Sequence, residues 1–297
     1  MKLPSPGGRG RAPVAAKQCN GKRGRGKKVM LHHLQDMFSQ VRRFLLEEGM
    51  RRKEAVRVNP KGETTREFDF LAEEKVIEYC RREFSFPVRI LTEERGEVMT
   101  WEGKPSFTLV LDPVDGSENF LRGAELCCFS VALIPGDGKV HPEDVEIALV
   151  GQIFGGSAFY AEKGKGAFRD GEALRPSKME DLSQATIGCD FNFTDKGKVR
   201  KVHPLLERVR DVRRLGTAAG ELAMVAAGWL DAHVDVRDQL TPENFLAAYL
   251  IIREAGGVIT GMKGEPLPPV ESMTQGYSII ASGNRVLHGR ILEALNL

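Results

Sequence analysis

The stretch Phe107 to Phe120, FTLVLDPVDGSENF, holds the residues best spaced for chemistry. An apolar run, Phe107 to Leu111, stops at Asp112, and short apolar runs bounded by turn residues read as buried strands. Pro113 has no backbone N–H to donate and is expected to close that strand. Asp115, Gly116 and Ser117 suit a turn that opens a helix. Asp112 and Asp115, close together at a strand end, can converge on one point. Hard divalent cations take oxygen ligands, and Mg2+ commonly combines one or two carboxylates with substrate phosphate. A helix N-terminus just beyond would aim free N–H groups at that phosphate. The stretch predicts a metal-plus-phosphate site in one short loop. Asp-Pro and Asp-Gly are also ordinary turn formers, and Ser and Asp cap helices without any chemistry, so the loop alone does not decide.

The elements that must position the loop are legible on both sides of it. Leu31, Leu34, Met37, Phe38, Val41, Phe44 and Leu45 recur at helical spacing and predict an amphipathic helix from about Met30 to Arg52. A short strand, Ala55 to Val58, a turn, Asn59 to Gly62, and a second helix, Phe68 to Phe84, follow. Pro87 to Leu91 reads as a strand that ends in Thr92-Glu93-Glu94, a second carboxylate pair at the end of an apolar run. Phe129 to Ile134, Val145 to Phe154 and Gly156 to Ala161 are strand-like. Lys163-Gly164-Lys165-Gly166 reads as a hairpin turn, because the helix a phosphate loop needs is missing. Further on come a strand at Ala185 to Cys189, a helix at Pro204 to Arg210, and a helix of small residues from Leu215 to about Gly228. Asp231 to Val236 alternates as a strand. Thr241-Pro242-Glu243-Asn244 is a helix start, for a helix that stops at Gly256-Gly257. Strands at Val258 to Gly261 and Tyr277 to Ser282 and a helix at Arg285 to Leu295 close the chain. Mixed helices and strands throughout predict a layered α/β or α+β architecture.

Composition excludes several classes. The 297 residues suit one large domain or two modest ones, and the formal net charge of +2 is not that of a polyanion binder. No apolar stretch approaches the roughly 20 residues that span a bilayer. Cys19, Cys80, Cys127, Cys128 and Cys189 are odd in number and form no CxxC pair, which predicts free thiols in a reducing, cytoplasmic setting rather than a disulfide framework or zinc site. Before Met30 the chain is rich in Lys, Arg, Gly and Pro and has no acid, so residues 1–29 are expected to be a disordered basic leader. A nucleic-acid arm there is the less favoured reading.

Read together, five segments resemble the inositol monophosphatase family, and in its order. They are Gly62-Glu63-Thr64-Thr65-Arg66 to Asp69 with Ala72-Glu73; Glu93-Glu94; Asp112-Pro113-Val114-Asp115-Gly116-Ser117-Glu118-Asn119-Phe120; Gly216-Thr217-Ala218-Ala219; and Glu254-Ala255-Gly256-Gly257. The likeness covers about residues 30–297. Val234-Asp235-Val236-Arg237 before the last signature looks most like the archaeal-type branch, whose members often act on both inositol monophosphate and fructose 1,6-bisphosphate. The resemblance implies an α+β chain in the layered αβαβα sugar-phosphatase fold. A metal-site half would span about 30–180, and an α/β half with much of the substrate contact about 181–297.

It also implies roles. Glu93, Asp112, Asp115 and the Val114 carbonyl would bind metal, and a pair of Mg2+ ions could clamp the attacking and leaving oxygens of a phosphate ester. Glu93, Ser117 and Asp112 would be catalytic, with Glu93 and Ser117 orienting a metal-activated water and no covalent enzyme intermediate. Gly116 and Ser117 would hold phosphate oxygens through N–H groups. Gly216, Thr217, Ala218 and Asp235 would face the sugar, and Asp69 would help with a third, weak ion. Glu94 would stand beside the site or on the surface. Three departures stand out. Ser117 replaces a threonine, Glu118 adds an acid, and Asn244 falls where the family has a metal-binding Asp; its amide oxygen can still ligate, and Glu243 is its rival. The implied function is a Mg2+-dependent phosphomonoesterase acting on inositol monophosphate or a related small phosphorylated polyol or sugar. Fructose-1,6-bisphosphatase is the alternative, and a catalytically impaired phosphate-binding protein is the alternative of another class. A homodimer, no membrane association and no nucleic-acid partner are expected.

Overall fold

The computed structural model describes residues 23–295. The expected disordered leader therefore lies, up to residue 22, outside the described residues. Its inner boundary needs correction, because the first helix, α1 (Arg23–Glu47), begins ahead of Met30. Helix propagation is cheap once a turn exists, and Lys and Arg are good helix formers. The amphipathic segment beyond, with Leu34, Met37, Val41 and Leu45 buried, supplies the anchor.

Then follow β1 (Ala55–Val58), β2 (Thr64–Arg66), α2 (Glu67–Glu83), β3 (Val88–Thr92), β4 (Gly96–Met99), β5 (Phe107–Asp115), α3 (Ser117–Arg122), β6 (Cys128–Pro135), β7 (Ile147–Gln152), β8 (Ala158–Glu162), β9 (Ala167–Arg169) and β10 (Glu172–Ala173). β1 and β2 form a hairpin, and the other strands form one sheet in the order β10-β9-β8-β7-β6-β5-β3-β4. The remaining elements are β11 (Thr186–Asp190), α4 (Lys196–Leu206), β12 (Asp211–Arg213), α5 (Ala218–Ala226), β13 (Ala232–Leu240), α6 (Pro242–Ala255), β14 (Val258–Thr260), β15 (Tyr277–Ser282) and α7 (Arg285–Ala294). Their strands make a second sheet, β12-β11-β13-β15-β14.

Side-chain alternation along the strands stacks these parts into five layers. On the first sheet Leu109, Leu111, Phe129 and Val131 pack with α1 and α2, whereas Val110, Ala132, Ala148 and Val150 pack with α5 and α6. On the second sheet Ile279 and Ala281 meet α5 and α6 from the other side, and Ile280, Val234 and Ile187 meet α4 and α7. The order is helix, sheet, helix, sheet, helix, an α+β fold of the expected αβαβα kind. α6 lies between two sheets, which is why every residue from Phe245 to Ile252 is buried and its sequence is apolar all round. Among the described residues no helix is long and apolar enough to cross a membrane.

Several local expectations are corrected. Pro113 does not close β5; the strand runs on to Asp115 through an irregularity between Asp112 and Asp115. A bulge leaves residues unpaired, so a residue with no N–H costs no ladder bond there. α4 starts at Lys196 rather than Pro204, because Asp195 caps it by accepting from the Gly197 and Lys198 N–H groups. The helix of small residues begins at Ala218, since Gly216 has φ +74° and Thr217 is extended. The Lys163–Gly166 turn is a hairpin turn as expected, and Glu254 on α6 accepts its Gly164 and Gly166 N–H groups at 2.8 and 2.9 Å.

Candidate active site

Parallel pairing builds the site. β3 lies beside β5 with Thr92 opposite Leu111, so the next residues, Glu93 and Asp112, come side by side where β3 ends, Asp112 still being paired with Ser130 of β6. The bulge then turns the chain. Asp112 Oδ1 accepts the Val114 N–H at 2.9 Å, and Gly116 follows with φ +94°. A Cβ at Gly116 would lie 2.9 Å from the Leu126 carbonyl oxygen and 3.0 Å from that of Gly216, so only glycine brings this turn against both segments.

α3 starts at Ser117, whose hydroxyl lies 2.9 Å from Asp69 Oδ1 and 2.9 Å from the Val114 carbonyl oxygen. Its single proton serves one of these acceptors at a time. Asp69 sits in the first turn of α2 and is buried. One turn later Glu73 accepts the Glu94 N–H at 2.9 Å. Glu94 is tied down further by the Thr65 hydroxyl on its carboxylate and the Arg57 guanidinium on its carbonyl. Asp69, Glu93, Glu94, Ser117 and Glu118 line a cavity of about 230 Å3. A neighbouring cleft of about 520 Å3 shares Glu93 and is lined by Lys61 as well.

The rest of the expected site comes from the second half of the chain. Asp115 Oδ2 accepts the Thr217 hydroxyl at 2.6 Å and the Ala219 N–H at 2.9 Å, so it caps α5 and fastens the Gly216–Ala218 segment to the loop. The Asn119 amide donates to the Leu215 carbonyl at 2.7 Å. Glu221 holds the same segment by accepting the Leu215 and Gly216 N–H groups at 2.9 and 3.1 Å.

Two expected roles change. Asn244 does not offer its oxygen to the site. That oxygen accepts the Thr241 N–H and hydroxyl in a capping box, while the amide nitrogen donates to Asp112 Oδ2 at 3.0 Å. A backbone N–H can only donate, so the atom facing Thr241 must be the oxygen. Asp235 does not face open space either. It is fully buried, and its Oδ2 accepts the Arg237 guanidinium at 2.6 and 3.0 Å. Asp190, His233 and Asp235 do bring ligand atoms within 4.8 Å of one another. The Arg237 guanidinium, 3.7 Å from Asp190 Oδ2, already supplies cationic charge there, and a divalent ion would be repelled by it. Among the described residues Glu93, Asp112 and Asp115 are spread more widely than that group, each being held by its own partner.

Burial sets the electrostatics. Asp112 is pushed well above the usual carboxylate range by burial, then by the charges of Glu93, Asp115 and Glu243. Burial raises Asp115 to about 6 against the pull of Thr217 and the α5 N–H groups. Glu93 and Asp69 are likewise raised, mainly by burial. Buried carboxylates that raise one another's proton affinity are relieved by a cation. One is built in: Lys61 Nζ lies 3.0 Å from Glu93 Oε1 and 2.5 Å from Glu243 Oε1, and it donates to Thr241 Oγ1 at 2.7 Å. Burial alone would lower the Lys61 pKa, but Glu243 and Glu93 outweigh it and raise it. Nothing in the Asn59–Gly62 turn sequence distinguishes Lys61 from a solvated turn lysine. The Asp69–Ser117 pair was hidden for a similar reason, since hydroxyl and carboxylate belong to different helices.

The model of the inositol monophosphatase family matches residues 30–296. The chain is 31% identical over 256 residues to a Methanothermobacter thermautotrophicus protein named fructose-1,6-bisphosphatase/inositol-1-monophosphatase, covering 82% of this chain and 88% of that one. A Thermococcus kodakarensis protein of the same name is 32% identical over 242 residues, covering 82% and 87%. A crystal structure of an inositol monophosphatase-fructose 1,6 bisphosphatase superposes with a TM-score of 0.76 at 25% identity, over 89% of this chain and 98% of that one. With its family match running through nearly all the described residues, the chain belongs to the inositol monophosphatase family.

Proposed function

We propose that this chain is a metal-dependent phosphomonoesterase acting on an inositol monophosphate or a related sugar phosphate, with fructose 1,6-bisphosphate the alternative substrate of the same chemistry. The observation that carries the reading is the group of carboxylates around a glycine turn, Asp112 and Asp115 buried and Glu93 partly exposed, with the Ser117 hydroxyl beside Asp69 in a cavity that Glu93 also lines. Family membership and the printed names of the relatives support it.

The donor set at Asp112 and Asp115 fits a hard cation, because these acids are buried, repel one another and have a backbone carbonyl, that of Val114, between them. Asp112, Asp115 and the Val114 carbonyl would hold the ion, with Glu93 standing beside them against Lys61, and Mg2+ is the proposed one. When bound, the ion would supply Lewis-acid stabilisation of the phosphoryl oxygens and acidify a water. The chain's own groups do the rest. With its proton directed to Asp69, the Ser117 oxygen turns a lone pair to the cavity and orients a water by accepting its hydrogen. Asp69, raised by burial and by Glu94, is the carboxylate placed to accept the Ser117 proton. The Gly116 and Ser117 N–H groups would hold phosphate oxygens, and Gly216, Thr217 and Ala218 would line the sugar side. Arg237, held by Asp235, would be the polar group on that side in place of the buried acid. Water would attack phosphorus as the ester P–O bond breaks, and the leaving alkoxide would take a proton from solvent water, so phosphate and the free alcohol form with no covalent enzyme intermediate.

We further propose a homodimer in a reducing, cytoplasmic setting, with halves meeting at about residue 180; the first sheet ends at Ala173 and the second begins at Thr186. Phosphate release from inositol 1-phosphate and from fructose 1,6-bisphosphate, with Mg2+ and with EDTA, tests the function. Metal-dependent release from either supports it, and none from any small phosphate monoester refutes it. One observation favours a phosphate-binding protein with little turnover, namely the Asn244 amide bonded to Asp112. Calorimetric binding of a substrate without release would select that reading.

A further inference from the structure

The acids gathered where β3, β5 and the start of α6 meet fall into two sets, held by different kinds of donor. Asp112 and Asp115 accept from neutral groups: the Val114 N–H, the Asn244 amide, the Thr217 hydroxyl and the Ala219 N–H. Glu93 and Glu243 accept from an ammonium. Lys61 Nζ reaches Glu93 Oε1 at 3.0 Å, Glu243 Oε1 at 2.5 Å and Thr241 Oγ1 at 2.7 Å. Those three contacts use the three N–H bonds of a lysine. The Glu243 side chain is wholly buried, and its other oxygen has no hydrogen-bond partner. Such an oxygen is costly to leave unmatched and is poised to bind a cation.

The lysine is aimed by its own turn. Asn59 Oδ1 accepts the Lys61 and Glu63 N–H groups at 3.0 and 2.9 Å, and Gly62 takes φ +86°. The turn belongs to the hairpin of β1 and β2, whereas Thr241 and Glu243 open α6, so one ammonium joins the two halves across the site. Mg2+ needs near-octahedral oxygens and tolerates few substitutes. An ammonium on Glu93 both occupies a ligand oxygen and repels a divalent ion at that oxygen.

We propose that Lys61 is the resident cation of the site. It holds Glu93 and Glu243 and bars a divalent ion from that pair, which leaves Asp112 and Asp115 as the place where such an ion binds. This rests on the metal-dependent reading above and adds how many ions the chain takes and why.

The test counts ions rather than turnover. Mn2+ is titrated into the full chain by calorimetry, with electron paramagnetic resonance following free Mn2+, for wild type, Lys61→Met and the double variant Lys61→Met/Glu243→Gln. The double variant removes the ammonium together with the buried carboxylate it balances, so it carries the test if Lys61→Met does not fold. Wild type should bind a single ion, and the folded variants a second one, at least about tenfold tighter than any second event in wild type. A second tight ion in wild type, or folded variants with the same stoichiometry and affinity as wild type, would overturn the inference while leaving metal dependence intact. No binding to any of the three proteins would overturn both.

Discussion

Replacing Asn244 by Asp should weaken the metal-free protein and strengthen the metal-bound one. Asn244 Nδ2 donates to Asp112 Oδ2 at 3.0 Å, and Asn244 Oδ1 completes the cap of α6. Asn244→Asp keeps the cap acceptor but turns a donor into a carboxylate oxygen beside another one. Loss of a hydrogen bond to a charged group costs about 1.5–3 kcal/mol. Repulsion between the two acids is limited by the option of protonating one, which at about pH 8 costs about 5 kcal/mol for a group of ordinary pKa. A proton shared between the two acids restores the lost hydrogen bond, so the costs are alternatives and the deficit is at most about 5 kcal/mol. At about 2 °C per kcal/mol for a chain of this size, melting in EDTA should fall by up to about 10 °C. At about pH 5 a proton is cheap and the deficit should shrink. Saturating Mg2+ should reverse it, because the added carboxylate then faces a cation, and half-maximal activity should need less Mg2+ than in wild type. Differential scanning calorimetry of both proteins in EDTA and in Mg2+, at the two pH values, checks this. A variant that melts within about 2 °C of wild type in EDTA at the higher pH would show that Asn244 does not donate to an ionised Asp112.

Three further outcomes follow from the same geometry. Burial raises Asp115 to about 6 and Glu73 to about 7; carboxyls raised in this way contribute stability that is complete below their unfolded pKa of about 4 and is lost as pH rises through the folded values. Metal-free protein should therefore melt lower at about pH 8 than at about pH 5, with Mg2+ closing the gap, and a melting temperature flat in pH would contradict the buried acidic cluster. Ser117→Ala should lower kcat by about 10²–10⁴ with little change in KM, whereas Ser117→Thr should retain turnover; steady-state kinetics that leave the Ala variant unimpaired would remove Ser117 and Asp69 from the chemistry. Gly116→Ala should cost about 1–3 kcal/mol in urea unfolding, since the residue has φ +94° and its Cβ would meet the Leu126 carbonyl oxygen at 2.9 Å.

What the sequence determined by itself is local. Phe107–Leu111 is an apolar run that ends in an acid, and a strand burying both faces has that pattern whatever surrounds it. Thr241-Pro242 starts a helix and Gly256 stops one because caps and φ preferences act within a turn of chain. Spacing of Asp112, Asp115, Gly116 and Ser117 pointed to a phosphate-and-metal loop for the same reason. Tertiary structure decided what depends on partners distant in sequence. β3 lies parallel to β5, which puts Glu93 and Asp112 side by side. Pro113 continues its strand because the pairing bulges there. Asn244 turns its nitrogen to Asp112 because Thr241 claims its oxygen. Asp235 is spent on Arg237. Lys61 is no surface turn residue, because folding carries Glu93 and Glu243 to its ammonium from two other elements. Propensity and periodicity are properties of neighbouring residues, whereas the direction of a side chain and the charge it meets are set only when separate segments are packed together.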